Sequence, residues 1–257
     1  CNACGLHGDE GQVVRLQRPE NETVHPGNMF PLVVLGTVKN VDRKCVERLV
    51  EWVTSSIPKK WHDQLHFVFF GDPEWGDDIC QPPTCSIIRG QESSSPERTV
   101  RIAKGRNVLM KKAASLGAKT TVVVDPDLSF GDSDFLQRVI LAHKWFRTGY
   151  NGVTWTGKVT NGTDVEFTYY DWWALRYPRF TCDIWSCMLN GWKPTSYQDR
   201  LELIDSVKQT FLTQLKVHNK PLAAQSAFNG LGVYNGAPIK CNYAGWNSTS
   251  NTRICEH

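Results

Sequence analysis

The chain has no run of eighteen apolar residues, the length that a bilayer asks of a helix, so nothing in it reads as a membrane span. It also has little net charge: 29 Lys and Arg against 26 Asp and Glu leave +3 over 257 residues. The basic residues are scattered, with no Arg/Lys stripe interleaved with aromatics, which argues against nucleic acid as a partner. No repeat or low-complexity segment divides the sequence. No leader is visible before Cys1, and an excised domain would read the same way.

What is present is apolar substance. Hydrophobic residues make up 40% of the chain, enough for a sizeable core and too many for disorder. Nine cysteines stand out. Cys45 shares a helical face with Leu49, Trp52 and Val53 and reads as a free core thiol. Cys1, Cys4, Cys80, Cys85, Cys182, Cys187, Cys241 and Cys255 sit among loop-forming residues. They read as up to four disulfides, whose pairing the sequence leaves open. Cys1 and Cys4 alone suggest zinc, but no second pair of that spacing answers them. Three Asn-x-Ser/Thr triplets, at Asn21, Asn161 and Asn247, point the same way as the cysteines. The expected setting is oxidising and glycosylating: the Golgi or ER lumen, or the cell exterior.

Along the chain, residues 1–27 show no apolar period. Continuous apolar strands are expected at 29–40, 65–73 and 119–127, with helices at 41–57, 99–118 and 132–149. Residues 74–97 read as a long loop. Strands buried on both faces and alternating with helices predict an α/β fold, a Rossmann-like, mostly parallel sheet flanked by helices. In such sheets ligands bind beyond the carboxyl ends of the strands. Those ends are Gly36-Thr37, Gly71-Asp72 and Asp125-Pro126-Asp127, and they should line one edge. After Gly149 aromatics crowd together: Trp155, Phe167, Tyr169, Tyr170, Trp172, Trp173, Trp185 and Trp192. One more helix is expected at 196–218, and short strands or loops at 228–236 and 240–247.

The segment "KTTVVVDPDLSF" (119–130) runs a buried strand into two aspartates. A D-x-D triplet alone is weak; Asp132-Ser133-Asp134 is expected merely to cap a helix. Asp125-Pro126-Asp127 differs in ending a buried strand, where proline marks the point at which pairing stops. Two adjacent carboxylates repel unless a cation or hydrogen-bond donors neutralise them. A hard divalent ion that keeps open positions for phosphate oxygens suits such a site.

A strand ending in D-x-D after two βα units resembles the GT-A nucleotide-sugar glycosyltransferases. The order of "RIAKGRNVLMKKA", the D-x-D strand, "YYDWWALR", "FNGLGVYN" and the final "CEH" is similar to a loose group of eukaryotic and algal-virus enzymes. Fungal capsule-associated mannosyltransferases are similar too. The resemblance spans about residues 30–257 and implies one catalytic domain. Its parts would be an arm (1–28), a nucleotide-binding half (29–149) and an aromatic-rich acceptor or sugar half (150–257). It implies Mn²⁺ or Mg²⁺ as cofactor, a UDP- or GDP-sugar as donor and a glycan or glycoprotein as acceptor. Asp125 would face the ribose and metal, Asp127 would ligate the metal, and His257 would complete its shell. Gly36, Thr37, Asp72, Arg106 and Asn107 would line the donor site. Asn229 and Gly230 would belong to a loop lining the sugar pocket.

Arg106 is conspicuous on physical grounds as well. At helical spacing it shares a core-facing stripe with Ile102, Leu109, Ala113 and Leu116, so it needs a paired anion. A donor phosphate and a structural partner such as Asp125 both meet that need. Gly105 beside it weakens the helix and would admit another backbone, or a ligand, at close range. Asp171, set among the aromatics of "YYDWWALR", suits proton transfer, with Asp164, Glu166 and Asp183 as rivals. Trp172 and Trp173 would pack on sugar faces, and Arg176 would pair with Asp171 or the substrate. Two other functions fit parts of the pattern: a secreted, non-catalytic carbohydrate-binding domain using the aspartates for Ca²⁺, and a metal-dependent phosphohydrolase. The second lacks the expected histidine-rich ligand clusters.

Overall fold

A computed structural model describes residues 30–38, 41–81, 83–90, 97–128, 136, 140, 150–153, 155–160, 164–169, 230–237, 243, 246–247 and 252–253. The chain divides into two compact units. One comprises Cys1–Cys4, Arg18–Gly152 and Gly230–His257, the other Gly5–Gln17 and Val153–Asn229.

The first unit is built on a six-stranded sheet. In chain order its strands are β1 (Leu32–Thr37), β2 (Leu65–Phe70), β3 (Cys85–Ile88), β4 (Thr120–Val124), β5 (Tyr150–Val153) and, after β6 and β7 of the other unit, β8 (Gly230–Asn235). Across the sheet the order is β3-β2-β1-β4-β8-β5. β3, β2, β1 and β4 run parallel, and β8 runs antiparallel to β4. The observed fold is thus α/β with a mixed, mostly parallel sheet. Two antiparallel pairs complete the described strands. β6 (Trp155–Thr160) pairs with β7 (Asp164–Tyr169), and β9 (Trp246–Asn247) pairs with β10 (Thr252–Arg253).

Strand alternation distributes the core. Leu32, Val34, Phe67, Phe69, Val122 and Val124 turn to one face, where they cluster with Val46, Leu49 and Val53 of helix α1 (Arg43–Ser56). Leu136 and Ile140, helical and fully buried, join the same cluster. Asp42 caps α1 by accepting a 2.7 Å bond from the Lys44 N–H. The opposite face meets helix α3 (Arg98–Ser115), where Gly105 lies against Phe70 and Thr37. Chain connections that run one way from β1 to β2 and the other way from β3 to β4 place α1 and α3 on opposite faces, as crossovers of one hand require.

Several expectations need correction. The presumed loop at 74–97 contains a short helix, α2 (Gly76–Ile79), and the edge strand β3. The Cys80–Cys85 disulfide ties the segment between them. β3 is only four residues long and Ser86 interrupts its apolar residues, so no strand pattern stands out. Gly230, which the resemblance puts in a loop, begins a strand inside the sheet (230–235), one of the two forms expected for 228–236, with β4 and β5 on either side. Cys45 is a free thiol but only half-buried; Val46 takes the inward position on α1, and the Cys45 Sγ lies 3.2 Å from Arg48 Nη2. The expected helix at 196–218, the capping triplet at Asp132-Ser133-Asp134 and the six cysteines Cys1, Cys4, Cys182, Cys187, Cys241 and Cys255 lie outside the described residues. Among the described residues no helix is long and apolar enough to cross a membrane.

Candidate functional site

Because β1, β2, β3 and β4 are parallel, their carboxyl ends share one edge. Leu35 is level with both Val68 and Val123, so Thr37 and Asp125 end adjacent strands two positions further on. The strand order reverses between β1 and β4, and that is where open α/β sheets place a crevice for ligands.

At this point β4 ends in a tight turn. The Leu128 N–H bonds back to the Asp125 carbonyl at 3.3 Å, with Pro126 in the first central position. Proline suits that position because its fixed φ matches the turn. The turn packs closely: a Cβ on Gly36 would lie 2.9 Å from the Pro126 ring, so only glycine lets the proline rest on the end of β1. On the other side the Asp125 N–H donates to the Gly230 carbonyl at 2.8 Å, joining the turn to β8. Gly230 has φ of +84°, and a Cβ there would collide with Leu128.

The two aspartates end in different environments. Asp125 continues the face of Thr121 and Val123, which is the face α3 covers. Arg106 meets it there, with Nη2 at 2.8 Å from Oδ1. The Arg106 side chain is 3% exposed and that of Asp125 22%. Asp127, at the second central position of the turn, is exposed. The repulsion expected between two bare carboxylates is thus relieved on one side by a buried cation, which leaves Asp127 as the outward-facing charge.

A further set of contacts surrounds Arg106. Its guanidinium carbon lies 5.7 Å from the centre of the Tyr243 ring, within cation–π range. The Tyr243 hydroxyl donates to that of Tyr234 on β8 at 3.0 Å. The Asn107 side-chain amide binds the Tyr243 backbone twice, donating to its carbonyl at 2.9 Å and accepting from its N–H at 2.8 Å. Burial raises the pKa of both phenols, and most strongly that of Tyr243.

Of the residues singled out from sequence, Gly36, Thr37, Asp125, Asp127 and Gly230 come together at this edge. Asp72 follows β2 at the same edge and pairs with Arg89 at 2.6 Å, both well exposed. Arg106 and Asn107 sit on α3, Arg106 paired with Asp125, the structural partner weighed for it, and Asn107 bound to the Tyr243 backbone. The space at Gly105 is filled by a side chain, with Phe70 Cδ1 at 2.8 Å from a hypothetical Cβ, rather than by a backbone or an open slot. Asp171, Trp172, Trp173, Arg176, Asp183, Asn229 and His257 lie outside the described residues. Asp164 and Glu166 are in β7, level with Thr160 and Lys158. Tyr234, Tyr243 and Arg89 carry no sequence signal that marks them, since their roles depend on pairings across the fold. Among the described residues no group of three or more His, Cys, Asp or Glu is placed to hold a metal.

The chain matches no family of known proteins and no curated protein.

Proposed function

We propose that the chain is a metal-dependent GT-A-like glycosyltransferase that moves a sugar from a nucleotide diphosphate to a hydroxyl acceptor in the secretory pathway. One observation carries the reading. The Asp125–Leu128 turn occupies the reversal point of a mostly parallel sheet, with Asp127 exposed and Asp125 held by a buried arginine. The donor set suits Mg²⁺ or Mn²⁺, which bind through one or two carboxylates and leave remaining positions to phosphate oxygens. Asp127 would hold the ion, with Asp125 alongside and His257 as the implied third ligand. When bound, such an ion supplies counter-charge for the leaving diphosphate.

The chain's own residues divide the remaining work. Gly36 and Thr37, at the end of β1, would border the nucleotide. Asp72, after β2, is available to ribose hydroxyls, with Arg89 fixing its direction. In the second half of the chain, Asp171 would accept the acceptor's proton, and Trp172, Trp173 and Arg176 would receive sugar. Asn229 and Gly230 would border the donor sugar. The paired cysteines and the sequons favour the lumen or the cell exterior over a reducing compartment.

The test is a thermal-stability screen of UDP- and GDP-sugars with and without Mn²⁺, followed by a donor-hydrolysis assay. Metal-dependent stabilisation by a nucleotide sugar, with slow hydrolysis, is the expected result. Stabilisation by free sugars or Ca²⁺ with no response to nucleotides would favour the carbohydrate-binding alternative instead.

A further inference from the structure

We propose that Asn107 and Tyr243 are positioning residues for Asp125, acting through Arg106 to hold the β4 turn in shape; the catalytic consequence rests on the reading above. Tyr243 comes from near the far end of the chain, 136 residues after Asn107, yet it is fixed at both ends. Its backbone N–H and carbonyl are both taken by the Asn107 amide, which acts as a substitute strand partner. Its hydroxyl is tied to Tyr234 on β8. A ring held in this way has little freedom to move off Arg106, over which it lies.

The consequence reaches the turn through a short sequence of contacts. Asn107 directly follows Arg106 on α3, so one helical turn fixes both the cation and the residue that anchors its cover. With the ring in place Arg106 is withdrawn from water, and the attraction between its guanidinium and Asp125 is less screened. Asp125 is also the hinge of the turn, since its N–H is bonded to Gly230 and its carbonyl to the Leu128 N–H. Displacing Tyr243 would therefore loosen Asp125, and with it the direction of Asp127. A direct donor contact by Asn107 would first require it to release Tyr243.

Hydrogen exchange and donor kinetics test this together, in the wild type and in Asn107→Ala, Tyr243→Ala and Tyr243→Phe. The peptide covering residues 125–128 should exchange about tenfold faster in the two alanine variants, while the edge strand Cys85–Ile88 is unchanged. Tyr243→Phe keeps the ring and should retain most of the protection. If Asn107→Ala does not fold, Asn107→Asp keeps the acceptor and loses the donor, and should show the same local effect. In turnover with Mn²⁺, kcat should fall about tenfold in the alanine variants while the donor KM changes by less than about threefold. Unchanged protection at 125–128, or a loss spread evenly over the sheet, overturns the proposal. A raised donor KM at constant kcat does so too, by making Asn107 a donor contact. A wild-type protein that turns over no nucleotide sugar would remove the glycosyltransferase reading, and the exchange result would then decide the positioning role alone.

Discussion

Gly105 lets α3 approach the sheet closely enough for Arg106 to reach Asp125. A methyl group there would meet the Phe70 ring at 2.8 Å and the Thr37 methyl at 3.3 Å. Alanine would gain roughly 1 kcal/mol of helix propensity but would overpack a rigid contact at a cost of about 1–3 kcal/mol. Gly105→Ala should therefore lower the urea midpoint, and a more stable variant would show that Phe70 moves aside freely. Burial, reinforced by the neighbouring Tyr234, pushes the Tyr243 phenol well above its ordinary value of 10, although Arg106 opposes the shift. Burial likewise raises Tyr234, against its hydrogen bond from Tyr243 and the Arg106 charge. The folded protein thus holds both protons more tightly than the unfolded chain. Their contribution to stability is complete below pH 10 and is lost as pH rises through the folded values. Denaturant titrations should show stability falling above pH 10, and Tyr243→Phe should flatten that decline. At this scale the sequence told that Arg106 needed an anion, because helical spacing put it on a core stripe. It did not tell that Tyr243 would cover the pair, since nothing in "KCNYAGWN" distinguishes that ring from its neighbours.

Among the elements, β1, β2 and β4 were legible because strands buried on both faces show unbroken apolar runs. Their ends were expected too far out: 29–40 became Leu32–Thr37, 65–73 became Leu65–Phe70, and 119–127 became Thr120–Val124. Ladder pairing, not composition, ends them; at β4 the turn at Pro126 takes over. β3 escaped notice and β8 was read only as a short strand or loop, for different reasons. Three of the four residues of β3 are half-exposed at the sheet's edge, so its pattern is weak. β8 contains two glycines and depends on β4, more than a hundred residues earlier, for its partner. The Cys80–Cys85 disulfide stabilises the approach to β3. A loop this short yields about 2 kcal/mol in the chain-entropy account. Replacing both cysteines by serine should lower stability by about that amount and raise exchange chiefly in β3. In the unreduced protein, iodoacetamide should label Cys45 and leave Cys80 and Cys85 unmodified; labelling of those two would contradict the disulfide.

For the molecule as a whole, the alternation of strands and helices was enough to predict an α/β sheet whose strand ends share an edge. It was not enough to give the order β3-β2-β1-β4-β8-β5, because adjacency depends on which face each helix covers. That order matters most for function, since it brings the turn after β4 beside the end of β1, where the direction of the sheet reverses. The proposed donor site is there, and Asp127 is the exposed charge beside it. Donor turnover by Asp127→Asn, measured with Mn²⁺ and again with excess chelator, addresses this claim most directly. The substitution keeps the side chain's shape and removes one negative charge, so the fold should persist and the wild type should lose activity to chelator. Turnover by the variant should fall about a hundredfold or more, the scale of losing a principal electrostatic group. Wild-type rates in folded Asp127→Asn, or full activity in excess chelator, would contradict a metal-dependent site at this turn.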